Sequence, residues 1–461
     1  MAIEKFEVIV IGGGSAGKWV AENVAYGGKT ALMIESRMVG GECPYFACMP
    51  AKAMLHSAEI RHNASKYQQF GHASKEPIFD NEIEGYAAAV AIRHRVAEHL
   101  DDTETAERFL KSGAKLIRGK GLIQKDGIVE VNQQQFAYDD LVLATGTEFN
   151  IPPINGLDKI DFWTSDDFYT SQDLPKSLTI IGGGPVGLEI AQIAHRFGAE
   201  VHVLEVAANI MPAEDHEIAL ELQDLLISEG IDIHPNIQIA DIVQKDNVEV
   251  KLQSGQLISS EKLLIAAGKR NNLNNININN LELSVDPFKP LPVDKYLKVV
   301  GTKNVWAGGD ITGIAPYTHT ANYHGRIITS NLLGQQIATD HSAVPRGLFT
   351  DPEVASVGIS EEKAQSLGLN YAAASHPFGD TARGFATRKG SGRLKLIADV
   401  EKNILLGASV VGPNAGEIIG EAVLAMQAKI SITEFAKAIH PFPTYTEAYE
   451  PPLRELATKI K

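Results

Sequence analysis

FEVIVIGGGSAG, residues 6–17, is the stretch on which the fold turns. A short apolar run of strand type ends in Gly12, Gly14 and Gly17, and the residues that follow, SAGKWVAENVAYGG, carry a helical pattern. A strand turning tightly into a helix needs a residue without a Cβ at the turn, which Gly12 supplies. Gly14 lets the backbone approach a pyrophosphate, and Gly17 lets helix and strand pack closely. The helix N-terminus offers unbonded N–H groups and the positive dipole end to the phosphates. A second β-like run, TALMIES, brings Glu35, 18 residues past Gly17, to where a carboxylate accepts hydrogen bonds from adenosine ribose hydroxyls.

The pattern occurs twice. LTIIGGGPVG, residues 178–187, repeats the glycines as Gly182, Gly184 and Gly187, and EVHVLEV places Glu205 at the same offset of 18. One glycine motif is a weak signal, but two, each after a strand, before a helix and with its acid in step, are specific. Two dinucleotide sites in one chain imply one tightly held redox cofactor and one exchanging hydride donor. Glu205 is followed by Val206, Ala207 and Ala208, not by the arginine that a 2′-phosphate requires. The donor is therefore expected to be NADH rather than NADPH. Two more segments complete the first site: LVLATG, ending in Thr145 and Gly146, and NVWAGGD, ending in Gly309 and Asp310, whose carboxylate can reach a ribityl hydroxyl. LIAAG, ending in Gly268, mirrors LVLATG after the second unit.

At 461 residues the chain exceeds a single ordinary core, so several domains are expected. Acidic residues number 57 against 42 Lys plus Arg, a balance that disfavours nucleic acid and anionic membranes as partners. No run of about 18 apolar residues is present, so no transmembrane helix is expected. The start carries Glu4 before a short apolar run and lacks the basic segment and cleavage site of a secretory signal, which points to the cytoplasm. There are two cysteines, Cys43 and Cys48. A structural disulfide suits neither a reducing compartment nor so short a loop. In GGECPYFACMPAK, residues 40–52, Pro50 suits the first turn of a helix, which sets Cys48 near a helix N-terminus where thiolate is favoured over thiol. Lys52, one turn on, adds positive charge.

With these motifs in this order, joined by DPEVASVG (351–358) and HPFPTYTE (440–447), the chain resembles the FAD-dependent pyridine nucleotide-disulfide oxidoreductases, which include dihydrolipoamide dehydrogenase, glutathione reductase and mercuric reductase. The resemblance runs nearly the whole length. It implies an α/β chain with two Rossmann-like dinucleotide-binding domains plus a C-terminal α+β dimerisation domain. The expected boundaries are 1–149 and 269–340 for FAD, 150–268 for NAD(P)H, and 341–461 for the dimer interface. It also implies a homodimer that passes electrons from NADH through FAD to a Cys43–Cys48 disulfide, and on to a small or carrier-bound disulfide. Cys48 would lie next to the flavin and Cys43 would attack substrate. Lys52 would lie near flavin N5, paired with Glu189.

The departures bear on the acceptor. Glu42 and the Pro44–Ala47 segment replace the more common residues around the cysteines, placing aromatic bulk beside Cys43. Phe442 stands where many relatives have the acid/base histidine, while Glu447 is retained. His440 is the nearest replacement, with Tyr445 behind it. Pro185 replaces a tyrosine that gates the nicotinamide pocket in many relatives. No second cysteine pair of the mercuric reductase type is present. These differences keep open the alternative of an NAD(P)H-dependent reductase of a quinone or metal ion.

Overall fold

The computed structural model describes residues 3–66, 82–125 and 127–460, with the side chains of 82–84 excepted. Met1 and Ala2, part of the stretch read for a leader, lie outside the described residues. Two compact units are present. The first comprises Met1–Pro50, Arg93–Asn150 and Gly268–Asp340, and the second Ala51–Ile92, Ile151–Ala267 and His341–Lys461.

The first unit is built on a seven-stranded sheet. Strands Lys115–Arg118, Ala31–Glu35, Glu4–Ile11 and Gln134–Leu143 are parallel in that order. Gln134–Leu143 is long enough to pair twice more, with Val305–Ala307 near its end and antiparallel with Ile128–Val131 near its start. Residues 31–35 are buried throughout, as a central parallel strand covered on both faces requires. Ile11 aligns with both Ile34 and Leu143, and Leu143 with Ala307, so four strand ends finish level at one edge. Open parallel sheets bind ligands at that edge.

The second unit repeats the scheme in smaller form. Asp232–His234, Glu200–Leu204, Ser177–Ile181 and Lys262–Ile265 make a four-stranded parallel sheet, and residues 239–260 a three-stranded antiparallel one. Its C-terminal part is a five-stranded antiparallel sheet in the order 345–348, 353–358, 404–412, 393–399, 371–377. The helix Ala415–Gln427 buries Ala415, Ile418, Ile419, Ala422 and Ala425, an i, i+3/i+4 stripe, in a core with Val357, Leu394, Leu396 and Val410 of that sheet. Among the described residues no helix is long and apolar enough to cross a membrane.

The two copies of the glycine motif agree bond for bond. Gly12 N donates to Ile34 O at 2.9 Å and Gly182 N to Leu204 O at 2.8 Å. Ala144 N donates to Ile11 O and Ala266 N to Ile181 O, both at 2.8 Å. Gly12 and Gly182 take φ of +100° and +121°, and a Cβ on either would collide with the carbonyl oxygen of Ala144 or Ala266. A Cβ at Gly17 or Gly187 would strike the carbonyl of Gly12 or Gly182. Gly184 differs: its φ is −83° and a Cβ there meets open space. Gly17→Ala and Gly187→Ala should each cost about 1–3 kcal/mol in urea denaturation, because backbone must move to admit the methyl group. Gly184→Ala should stay within about 0.5 kcal/mol of wild type. Equal losses at all three would contradict the packing role assigned to Gly17 and Gly187.

Candidate active site

The redox segment folds as a helical turn followed by a helix. Gly41, at φ +76°, lets the chain pass against Gly14, and residues Glu42–Tyr45 form a short turn carrying Cys43. Phe46 N and Ala47 N both donate to Glu42 O, at 2.8 and 3.0 Å, which closes that turn. The helix Cys48–Ser65 then begins at Cys48 itself. Pro50 occupies its first turn, where a missing N–H breaks no helical bond. Both cysteines are partly exposed thiols. Thr318, first residue of the helix Thr318–Leu332, sets its Oγ1 3.4 Å from Cys48 Sγ. The sulfur thus sits at one helix N-terminus and against a hydroxyl heading another, a setting that favours thiolate.

The aromatic bulk next to Cys43 does not form a collar around it. Tyr45 is 1% exposed, with its hydroxyl donating to Val39 O, and Phe46 is 9% exposed, with the Arg37 guanidinium 3.5 Å over its ring centre. The rings are drawn into the domain because burying apolar area outweighs keeping them beside a polar site. Glu42 instead pairs with Lys269.

Each dinucleotide cradle is preformed. Glu35 Oε2 accepts from Gly13 N at 2.5 Å and Oε1 from Arg37 N at 2.5 Å. Glu205 repeats this on Gly183 N and Ala207 N, both at 2.7 Å. Both acids are buried yet keep lone pairs for ribose hydroxyls. The helices Ser15–Tyr26 and Pro185–Arg196 begin at Gly14 and Gly184 without a side-chain cap, so their first-turn N–H groups are left for an anion. Thr145 and Gly146 follow the strand ending at Leu143, and Gly268 accepts from Asn150 N at 3.0 Å. Gly309, at φ +80°, delivers Asp310 into a short 3₁₀ turn, and Gly309 N donates to Nδ1 of the buried His324 at 3.1 Å.

Asp310 tests the fit to a flavin cofactor. Its carboxyl is largely desolvated and accepts no hydrogen bond from the described residues, so burial raises its pKa, with Lys269 working against the shift and Glu42 with it. A carboxylate held this way suits the hydroxyls of a ribityl chain. The donors, the uncapped helix and this acid together fit FAD in the first unit. The second unit has the glycines, uncapped helix and acid, and fits an exchanging dinucleotide.

Within the second unit, Lys52 Nζ lies 2.9 Å from both oxygens of the buried Glu189, and Phe349 N donates to Glu189 Oε1 at 3.0 Å. Lys52 also sits 4.5 Å over the Phe349 ring. Lys52 and Phe349 border a cleft of about 500 Å³ whose walls include Arg383, Lys389 and Tyr445. The Tyr445 hydroxyl is 2.9 Å from Thr387 Oγ1.

His440 lies in the C-terminal part of the second unit. Its Nε2 is 3.0 Å from Glu421 and its Nδ1 3.4 Å from Glu450, the ring stacks on Tyr449, and the residue is 9% exposed. Nε2 is thus held by Glu421, while the buried Nδ1 makes no hydrogen bond among the described residues. Glu447 reaches back to Thr444 N at 2.9 Å and caps the turn Tyr445–Tyr449, while Phe442 projects at 78% exposure. Sequence reasoning missed Thr318, Lys269 and Phe349. Each comes from a segment remote from the residue it contacts, and none carries a local signal.

The raised pKa of Asp310 gives a signed expectation. An acid whose folded pKa exceeds its unfolded value lowers stability once pH rises above the unfolded value. Asp310→Asn should therefore raise the melting temperature of flavin-free protein at pH 7, and the gain should shrink as pH falls through the carboxylate range. Asp310→Ala should release flavin on gel filtration. A melting temperature for Asp310→Asn that does not depend on pH relative to wild type would contradict the desolvation argument.

Comparison with known proteins agrees with this geometry. A family model described as pyridine nucleotide-disulphide oxidoreductase matches residues 6–325, and the dimerisation domain of the same family matches residues 344–452. A dihydrolipoyl dehydrogenase of Thermus scotoductus is 32% identical over 454 residues, covering 96% of this chain and 96% of that protein. A mercuric reductase of Streptomyces lividans is 29% identical over 454 residues, covering 96% and 94%. Among solved structures, the Cu(II) complex of the HOCl-induced flavoprotein disulfide reductase RclA from Escherichia coli superposes with a TM-score of 0.84 at 25% identity, over 100% of both chains. With its paired cradles, its Cys43–Cys48 turn and a family match over most of its length, the chain belongs to the pyridine nucleotide-disulphide oxidoreductases, flavin-dependent enzymes that use pyridine nucleotides.

Proposed function

We propose that the chain is an NADH-dependent reductase of a small or carrier-bound disulfide, working in the cytoplasm as a homodimer. The observation that carries this reading is the position of Cys48 at the head of an 18-residue helix, one turn after Cys43. The dimerisation-domain match over residues 344–452 supports the homodimer.

In this reading FAD lies along residues 1–149 and 269–340, held by Gly12, Gly14, Gly17, Glu35, Thr145, Gly146, Gly309 and Asp310. The nucleotide lies along 150–268, held by Gly182, Gly184, Gly187 and Glu205, with Gly268 closing the segment. The preference for NADH rests on Glu205, whose carboxylate would repel a 2′-phosphate, and on the absence of an arginine from residues 206–208. Bound flavin supplies the two-electron link between reduced nucleotide and the cysteine pair. Lys52, fixed by Glu189, sets a positive charge in the cleft.

The thiol chemistry belongs to the chain's own residues. The Cys43 thiolate attacks one sulfur of the substrate disulfide, forming a mixed disulfide and releasing the first substrate thiolate. Cys48, kept as thiolate by the helix N-terminus, then attacks the Cys43 sulfur, closing Cys43–Cys48 and releasing the second. His440 is given no part in this scheme, and the leaving thiolates take their protons from water.

Anaerobic NADH titration, followed by absorbance, tests the reading. Wild type should develop a long-wavelength band from the Cys48 thiolate beside oxidised flavin after two electrons. Cys43→Ser should show that band before any reductant is added and should lose disulfide turnover. NADPH should reduce wild type more slowly than NADH at equal concentration. Bleaching of the flavin without the band, with turnover surviving Cys43→Ser, would overturn the proposal in favour of a quinone or metal-ion acceptor.

A further inference from the structure

Outside the redox site, the parallel sheet of the second unit assembles a group of side chains that the electron relay does not use. Strands Glu200–Leu204 and Asp232–His234 pair with His202 in register with Asp232. Side chains alternate along a strand, so His234 falls on the same face as Asp232, and His202 beside it. The three converge on one carboxylate oxygen. Asp232 Oδ2 lies 2.8 Å from His202 Nδ1 and 2.7 Å from His234 Nε2. The ring centres are 6.3 Å apart and tilted by 37°. One donor atom from each residue lies within 4.8 Å of the others, and among the described residues this is the one such group of three.

Exposure favours a ligand over a merely packed cluster. The imidazoles are mostly covered, at 15% and 17% side-chain exposure, whereas Asp232 is 52% exposed and stands at the opening. Asp232–His234 is also the edge strand of its sheet, so the site opens at a rim. Imidazole N–H groups donating to Asp232 account for the observed distances. The same two nitrogens, once their protons are replaced by a metal, become ligands. Zinc–nitrogen and zinc–oxygen bonds of about 2.0–2.2 Å set neighbouring ligand atoms about 3.3 Å apart in a tetrahedron. The observed oxygen–nitrogen spacings of 2.8 and 2.7 Å lie about 0.5 Å short of that value.

We infer that His202, Asp232 and His234 form a binding site for a divalent first-row transition metal ion of borderline softness, such as Zn²⁺, with its remaining positions open to water. Two imidazoles and one carboxylate suit such an ion better than Mg²⁺ or Ca²⁺, which take mainly oxygen ligands. The site is separate from Cys43 and Cys48 in chain segment and in ligand chemistry, so it does not depend on the disulfide reductase reading.

The test uses flavin-loaded protein in which Cys43→Ser and Cys48→Ser remove the competing thiolates, with Zn²⁺ as the probe in calorimetric titration. One Zn²⁺ per chain should bind in the micromolar range or tighter. His202→Gln and His234→Gln should each weaken it at least tenfold, while flavin content and metal-free melting temperature match the parent. If a glutamine variant does not fold, Cu²⁺ electron paramagnetic resonance on the parent should show coupling to two imidazole nitrogens. Zn²⁺ affinity unchanged by either substitution, no binding below millimolar concentration, or a Cu²⁺ spectrum lacking two nitrogens would overturn the assignment.

Discussion

Two buried carboxylates, Glu35 and Glu205, each hold the turn between the first strand and first helix of their fold. Each accepts the N–H of the middle glycine, Gly13 or Gly183, and the N–H two residues past itself, Arg37 or Ala207. A hydrogen bond to a charged group contributes about 1.5–3 kcal/mol, and losing one partner would leave a buried charge or donor unmatched. The bonds fix the glycine turn against the end of the neighbouring strand. The helix that follows then points its N-terminal N–H groups at a defined place. Level strand ends, uncapped helices and the delivery of Asp310 all have meaning only once those turns are set.

The redox segment uses the same elements differently. Gly41 lets the chain pass close to Gly14, so the cysteine turn is anchored on the glycine motif itself. Burial of Tyr45 and Phe46 secures that turn from within, and the Glu42–Lys269 pair secures it from outside. Cys48 is then presented by a helix start and by Thr318, while Cys43 lies in the preceding turn. The thiols are positioned by backbone and packing.

How much of this was readable in advance follows from the range of each interaction. The glycine turns, their acids and the helix start at Cys48 are local, with cause and effect within about 25 residues, and the sequence carries them openly. The match between LVLATG and LIAAG was also legible, and the structure gives it a reason: Ala144 and Ala266 are the residues against which Gly12 and Gly182 turn. The Lys52–Glu189 contact came from resemblance to the family, since nothing local to either residue indicates it. Thr318 against Cys48, Lys269 against Glu42 and Phe349 against Glu189 are tertiary and left no trace in the pattern. The nearness of His440 to Phe442 suggested a substitute acid/base, whereas the surroundings of its ring, Glu421, Glu450 and Tyr449, are tertiary and could not be read from that nearness. The His202–Asp232–His234 group depends on strand register, which no motif encodes.

The central claim is that reducing equivalents from NADH come to rest on Cys43 and Cys48. The most direct measurement is alkylation of the oxidised enzyme under anaerobic conditions, before and after one equivalent of NADH, with mass spectrometry of the peptide that contains both cysteines. The account predicts an unlabelled, disulfide-linked peptide before NADH and alkylation of both sulfurs after it. A peptide that stays disulfide-linked once NADH has been consumed would contradict it.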